Sequence, residues 1–315
     1  MQPEVSIVVV PFAGRDHLLR CLTALSTQRT LLQLQIIVPH DQRLPDVATL
    51  IHDFPSVEFL GVDGQRTFAE LRALGVKSAR SEIVALTEDH CTPDADWCVR
   101  IKEAHKAPYA AIGGAVEKAV DGTDSSWSWA VYLSDWGRYM GPLSEGPARS
   151  LTDCNVTYKY AALTAIAQEW STEFHEPVVH AALQARGESL WLAPQIVVRQ
   201  HRSLSPFAAI RERYAFGRLF GATRVPKHDW TGRLFFSITS CLLPGLLISR
   251  VAANVLNKGR HRAEFMRALP ALIVLSSVWA WGELVGYVAG SPAASLLTQP
   301  WQRTLDTRAQ NGLSE

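Results

Sequence analysis

No Cys-x-x-Cys pair occurs in the 315 residues, and the five cysteines (Cys21, Cys91, Cys98, Cys154, Cys241) are scattered and odd in number. That spacing argues against a disulfide framework and for a reduced, cytoplasmic setting. A surplus of charge is also missing. Lys+Arg 31 against Asp+Glu 30 leaves the average with no signal for nucleic acid, and we expect no nucleic-acid partner. The glycine fingerprint of dinucleotide binding is absent after the first apolar run, where Pro11-Phe12-Ala13-Gly14-Arg15 offers one glycine. A dehydrogenase reading thereby loses its main support. No positive region precedes that run in Met1-Gln2-Pro3-Glu4, which argues against an ordinary signal peptide.

What is present is alternation. Val5 to Val10, Gln35 to Val38, Val57 to Val62 and Ile83 to Leu86 are short runs rich in β-branched residues. Helical spacing separates them over His17 to Gln28, Asp46 to Asp53 and Thr67 to Ala79. Strands alternating with helices at this interval predict an α/β fold with a mostly parallel sheet between helices. Asp96 to Ala107 continues as a helix and Ala110 to Val116 as a strand. Asp121 to Ser150 breaks the rhythm with Trp127, Trp129, Tyr132, Trp136 and Tyr139. This long, partly helical excursion is either an acceptor platform or a satellite core. Cys154 to Tyr158 predicts a returning strand, Tyr160 to Gln168 a short helix, and Val178 to Ala185 a helix opened by Pro177. Leu190 to Leu192 and Ile196 to Val198 close the region as two strand-like runs.

The fourth strand ends in Glu88, Asp89 and His90, followed by a Pro93-Asp94 turn. Acidic groups at the carboxyl end of a buried strand sit where open α/β sheets bind ligands. Two carboxylates and an imidazole there can hold a divalent cation, and through it a diphosphate. The plain alternative is a turn whose acids cap the next helix.

In the order of these segments, residues 5 to 201 resemble the family 2 glycosyltransferases. Ser6 to Pro11 with Leu18, Leu22, Leu25 and Gln28 is similar to the family's opening strand and helix. Ile36-Ile37-Val38-Pro39-His40-Asp41 falls at its nucleotide-contacting strand end, and Arg72, three residues before Gly75, at its Ala-Arg-Asn-x-Gly position. Leu86 to His90 with Pro93-Asp94 and Trp97 looks like its acidic metal motif. Gly113-Gly114, Asn155 to Lys159, His175-Glu176 eleven residues before Gly187, and Pro194 to His201 recur in place. The pattern departs at His40, His90 and His175, which stand where the family has acids, and at Ala73, which stands for Asn. The Gln-x-x-Arg-Trp signature of processive synthases is absent.

The resemblance implies a GT-A type, Rossmann-like catalytic domain that moves a sugar from a nucleotide-diphosphate sugar by inversion. It implies a nucleotide-sugar site at Pro11, Asp41, Arg72, Glu88 and Asp89. A divalent cation, Mn²⁺ or Mg²⁺, would rest on Asp89 and His201, with His90 as a further ligand. Such an ion would offset charge building on the leaving diphosphate. Glu176 would be the general base that takes the proton of the acceptor hydroxyl, with Glu173 second. An acid in the first turn of a helix also stabilises that helix without any chemistry.

Leu234 to Leu256 and Ala268 to Gly290 are two apolar stretches that approach the length of a bilayer span. Basic residues flank both sides of the first: Arg199 to Arg233, a run that includes Lys227, and Lys258-Gly259-Arg260-His261-Arg262. Crossing would place one flank outside, against the positive-inside tendency. A transmembrane hairpin and helices lying in one leaflet both stay open, the second stretch being the better spanning candidate. The expected organisation is a catalytic domain over 1–205 and a basic linker helix over 206–232. A hydrophobic membrane-associated hairpin over 233–292 and a polar tail over 293–315 follow. The expected protein is a membrane-associated, non-processive transferase with its catalytic domain in the cytoplasm, acting on a lipid carrier or a growing surface glycan. A catalytically idle relative that binds nucleotide sugar or glycan is the alternative.

Overall fold

The computed structural model describes residues 2–120, 124–225 and 229–290. The polar tail, Lys227 of the basic run and Asp121 of the excursion lie outside the described residues. The described residues divide into two compact units, one within 1–119 and 139–201, the other within 120–138 and from Arg202 to Gly290. Trp127, Trp129, Tyr132 and Trp136 of the excursion therefore belong with the C-terminal helices, while Tyr139 to Ser150 returns to the first unit.

In chain order the first unit runs β1 (Val5–Val10), α1 (Arg15–Gln28), β2 (Leu34–His40), α2 (Val47–Asp53), β3 (Val57–Gly61), α3 (Phe68–Lys77) and β4 (Ile83–Glu88). β5 (Cys91–Pro93), α4 (Trp97–Ala104) and β6 (Ala111–Lys118) follow. The chain leaves for α5 (Ser126–Asp135) of the second unit and returns as β7 (Gly146–Ala148), β8 (Asn155–Lys159), α6 (Tyr160–Thr164), α7 (Ala167–Trp170), α8 (Glu176–Ala185) and β9 (Leu190–Gln200). The strands make one sheet in the order β3-β2-β1-β4-β8-β6-β9-β5, with β7 on β9. β1, β2, β3, β4, β6 and β9 share a direction, so six of the nine strands run one way, while β5, β7 and β8 run against them. The protein is thus a mixed α/β fold whose central sheet of mostly parallel strands is flanked by helices.

Every residue of β1 is buried, as expected of a strand with helices on both faces. α3 opens with a reciprocal cap: Thr67 Oγ1 accepts from the Glu70 N–H at 3.1 Å and the Glu70 carboxylate from the Thr67 N–H at 2.6 Å. Its Gly75 lies so close to β1 that a Cβ there would overlap the Val8 side chain. This contact lays α3 on the sheet and sets Arg72, one turn earlier, towards the carboxyl ends of the strands. A second close approach organises the far half. A Cβ on Gly114 would overlap the Ile196 carbonyl, and Asn155 uses that space. Its Nδ2 donates to the carbonyls of Ala115 (2.8 Å) and Ile196 (2.9 Å), and its Oδ1 accepts from Trp97 Nε1 at 2.9 Å.

The two expected runs near 190 and 196 are one continuous strand, β9, which passes Pro194. Pairing with β6 shifts register between Gly113 and Ala115, and such an irregularity accommodates a residue with no N–H to give. The helix expected from 160 to 168 is instead two short ones.

The second unit adds α9 (Pro206–Arg224), α10 (Trp230–Thr239), α11 (Leu243–Lys258) and α12 (Arg262–Ala289). α9 and α12 touch backbone to backbone. A Cβ on Gly217 or Gly221 would strike the carbonyls of Trp279 and Glu283, and a Cβ on Gly282 or Gly286 those of Tyr214 and Arg218. Two glycine pairs, each spaced by four, face one another in a parallel arrangement, as when small residues let helices close up. Glu283 is fully engaged in this seam: Oε1 accepts from Tyr287 Oη (2.5 Å) and an Arg224 amino group (3.3 Å), and Oε2 from Trp279 Nε1 (2.9 Å). By length and composition, Trp230–Lys258 (29 residues, mean hydropathy 1.7) and Arg262–Ala289 (28 residues, 1.6) are apolar enough to cross a membrane.

Candidate functional site

β1 and β4 are parallel neighbours with Val10 opposite Glu88, so their carboxyl ends lie side by side. The residue after β4, Asp89, uses that proximity. Its carboxylate accepts backbone N–H groups from Phe12 (2.7 Å), Ala13 (2.8 and 2.9 Å) and Gly14 (3.2 Å). Three consecutive amides of the β1–α1 loop are thereby tied to one carboxylate that is 1% exposed. Pro11 follows β1 and leads into that loop. Gly14, at φ 110°, takes a backbone conformation that residues with a side chain rarely adopt.

Glu88 sits beneath. Its Oε1 accepts from Arg72 at 2.8 Å and its Oε2 lies 3.1 Å from His90 Nε2. The His90 ring packs against Phe12, centroids 5.4 Å apart. The Arg72 guanidinium lies 4.3 Å over the Phe68 ring and reaches with its other amino group to Glu176 Oε1. Residues separated by 16 and 104 positions thus converge on one arginine. All of them are buried.

Glu176 occupies the first turn of α8, whose start is anchored by the Phe174 N–H donating to the Ala69 carbonyl at 2.9 Å. The side chain is wholly buried and, among the described residues, its Oε2 has no hydrogen-bond partner. Burial pushes the carboxyl up to about 8, against the pull of Arg72. Arg72 itself is held above its ordinary value: burial alone would lower it, and Glu176 and Glu88 outweigh that. Tyr158 lies in the same core, raised by burial and by Glu176, with Oη 3.0 Å from His180 Nε2. Glu173 is exposed and lies 3.4 Å from the His175 ring.

Asp41 forms a separate knot at the end of β2. Its carboxylate accepts from the Arg43 N–H (2.9 Å), the Arg43 guanidinium and the Arg66 N–H (3.0 Å). His201, just past β9, gives its backbone N–H to the His90 carbonyl at 2.8 Å and so stands beside the motif. Trp129, Tyr132 and Trp136 are buried in the second unit, packing as core.

Among the described residues no group of three or more His, Cys, Asp and Glu side chains is arranged to hold a metal ion. The oxygens on which Mn²⁺ or Mg²⁺ would rest are engaged: those of Asp89 by backbone amides, those of Glu88 by Arg72 and His90. As arranged, these residues do not fit a cation, and no chemical step is routed through one.

Sequence reasoning missed two features. Arg43, two residues from Asp41, was signalled only by that spacing. The partners of Asp89 were not signalled at all, because backbone amides carry no residue identity. No protein-family model matches the chain, and no curated protein matches it.

Proposed function

We propose that the protein is a glycosyltransferase of the GT-A type, related to family 2. It would move a sugar from a nucleotide-diphosphate sugar to a lipid-linked or surface-glycan acceptor, by inversion and without processivity. The sheet order β3-β2-β1-β4, with ligand-type side chains at the strands' carboxyl ends, supports this reading. The observation that carries it is Glu176. A buried carboxyl with one oxygen on Arg72 and the other without a partner is costly to the fold, by roughly 1–3 kcal/mol for such a group. The spare oxygen is where an acceptor hydroxyl deposits its proton as it attacks the anomeric carbon. A carboxyl raised to about 8 is a strong base once ionised. Arg72 orients it, and Asp89 fixes the loop that follows β1.

The test is hydrolysis or transfer of nucleotide sugars by the full chain. Turnover rises with pH and levels above about 8, and Glu176→Gln lowers it by roughly 10²–10⁴-fold, the usual contribution of a general base. Turnover unchanged in Glu176→Gln overturns the assignment. The thermal shift given by each nucleotide sugar, measured with and without Mn²⁺, shows whether a cation displaces the amides from Asp89.

A second reading has its own support. Arg72, Glu176, Asp89 and His90 are each at most 1% exposed, and histidines stand at three acidic positions of the resembling family. A catalytically idle protein that binds nucleotide sugar or glycan accommodates both facts. It predicts a thermal shift with nucleotide sugar and no turnover. Under either reading the protein is membrane-associated, with the sheet unit in the cytoplasm.

A further inference from the structure

The two apolar segments of the second unit form an antiparallel hairpin. Arg233, near the start of α10, donates to the carbonyl of Tyr287 near the end of α12, and Phe236 stacks on the Tyr287 ring at 5.8 Å. At the tip, Gly259 closes α11 in the left-handed region and Lys258 Nζ donates to the Arg138 carbonyl at 3.0 Å. One side of this hairpin is apolar and open. Trp230, Leu234, Phe235, Ile238 and Leu242 are all more than half exposed, and of the most apolar 18 residues of Trp230–Lys258 only 11% are buried inside the protein. Ile273, Val274, Trp281 and Val288 continue the exposed apolar stripe along α12.

The opposite side of α12 is charged along its neighbours. α9 lies in the glycine seam and brings Arg213, paired with Asp135 of α5 at 2.6 Å, and Glu212, paired with Arg202 at 3.1 Å. Arg218 Nε donates to the Gly290 carbonyl at 3.0 Å, and Arg224 reaches Glu283. If α12 crossed a bilayer, it would carry this row of ion pairs into the hydrocarbon, where ionisable residues are rare and costly. Both ends of the hairpin are also basic, with Arg224 and Arg233 at one and Lys258, Arg260 and Arg262 at the other. Two basic ends match one anionic surface better than two opposite ones.

We infer that the hairpin lies in the plane of a single leaflet. Its open apolar side is set among the acyl chains, its α9 side faces water, and both basic ends meet anionic headgroups on the same side. The partner is a bilayer surface bearing anionic lipid, and neither α10–α11 nor α12 spans it. This rests on the membrane association proposed above and not on the transfer chemistry.

Cys241 is the one exposed cysteine of the five and sits between α10 and α11, near the middle of the first segment. It serves as the reporter. The full chain is first tested for flotation with phosphatidylcholine vesicles containing phosphatidylglycerol; no flotation overturns membrane association itself. A fluorophore on Cys241 is then quenched by lipids with a nitroxide near the headgroup or at the acyl-chain end. Stronger quenching from the headgroup position is expected, and stronger quenching from the chain end overturns the in-plane placement. Independently, Asn257→Cys and Ala289→Cys in a Cys241→Ser background report the two ends in bacterial membranes. An impermeant maleimide labels both in inverted vesicles and neither in spheroplasts. One end labelled in each preparation means the hairpin crosses.

Discussion

Each unit buries a glutamate against an arginine, and the two do it differently. Glu283 has both oxygens occupied, by Tyr287, Arg224 and Trp279. Glu176 has one oxygen on Arg72 and the other without a partner, and Arg72 serves a second carboxylate as well. A satisfied buried charge needs no explanation beyond packing, since it fixes which helix faces meet. An under-satisfied one is retained against its cost, and that difference distinguishes the cluster proposed to act from the cluster that holds.

The largest break in the comparison comes from Arg72→Met, which strands Glu88 and Glu176 together. Loss of about 3–5 kcal/mol is expected, the usual result of removing one partner of a buried pair, read as the urea midpoint of the sheet unit. Next is pH. Glu176 is raised from 4.5 to about 8 in the fold. Its proton therefore stabilises the native state fully below the unfolded value, and that stability is lost as pH rises through about 8. Urea midpoints of the natural protein fall by the equivalent of a few kcal/mol from about pH 5 to pH 9. Those of Glu176→Gln fall less. An equal slope in the natural protein and Glu176→Gln breaks the distinction between the clusters.

Glu283→Ala strands the Trp279 N–H and the Tyr287 hydroxyl and costs about 1–3 kcal/mol, measured by thermal unfolding followed through tryptophan fluorescence. The smallest effect belongs to Arg224→Ala. Its side chain is 29% exposed, and Tyr287 and Trp279 still satisfy Glu283, so less than about 1 kcal/mol is expected in the same assay.

Much of the sheet was legible because β1, β2 and β4 are runs of β-branched residues with helical spacing between them. β5 was not. Three residues ending in proline, Cys91-Thr92-Pro93, carry no period, and only pairing with β9 makes them a strand. α9 read as a basic linker because its arginines outweigh every other signal in that stretch. Yet the glycines at 217 and 221 answer those at 282 and 286, and their common spacing of four is written in the residues themselves. The candidate site was legible in its members and not in its wiring. Sequence order marked Arg72, Glu88 and Glu176. That Arg72 stands between the two acids follows from the Gly75 contact with Val8, a matter of helix height above the sheet. That Asp89 spends its oxygens on Phe12, Ala13 and Gly14 follows from the alignment of β1 with β4.

The Asp89 clamp has a consequence for local opening. Local opening occurs in contiguous cooperative units, the least stable of them being loops with few buried contacts. The Phe12–Gly14 segment is tied at three successive amides to a single side chain, so its local stability is shared through one group. Loss of the Asp89 carboxylate would free all three amides together. The order of that loop therefore depends on a residue just past β4, more than seventy positions away along the chain.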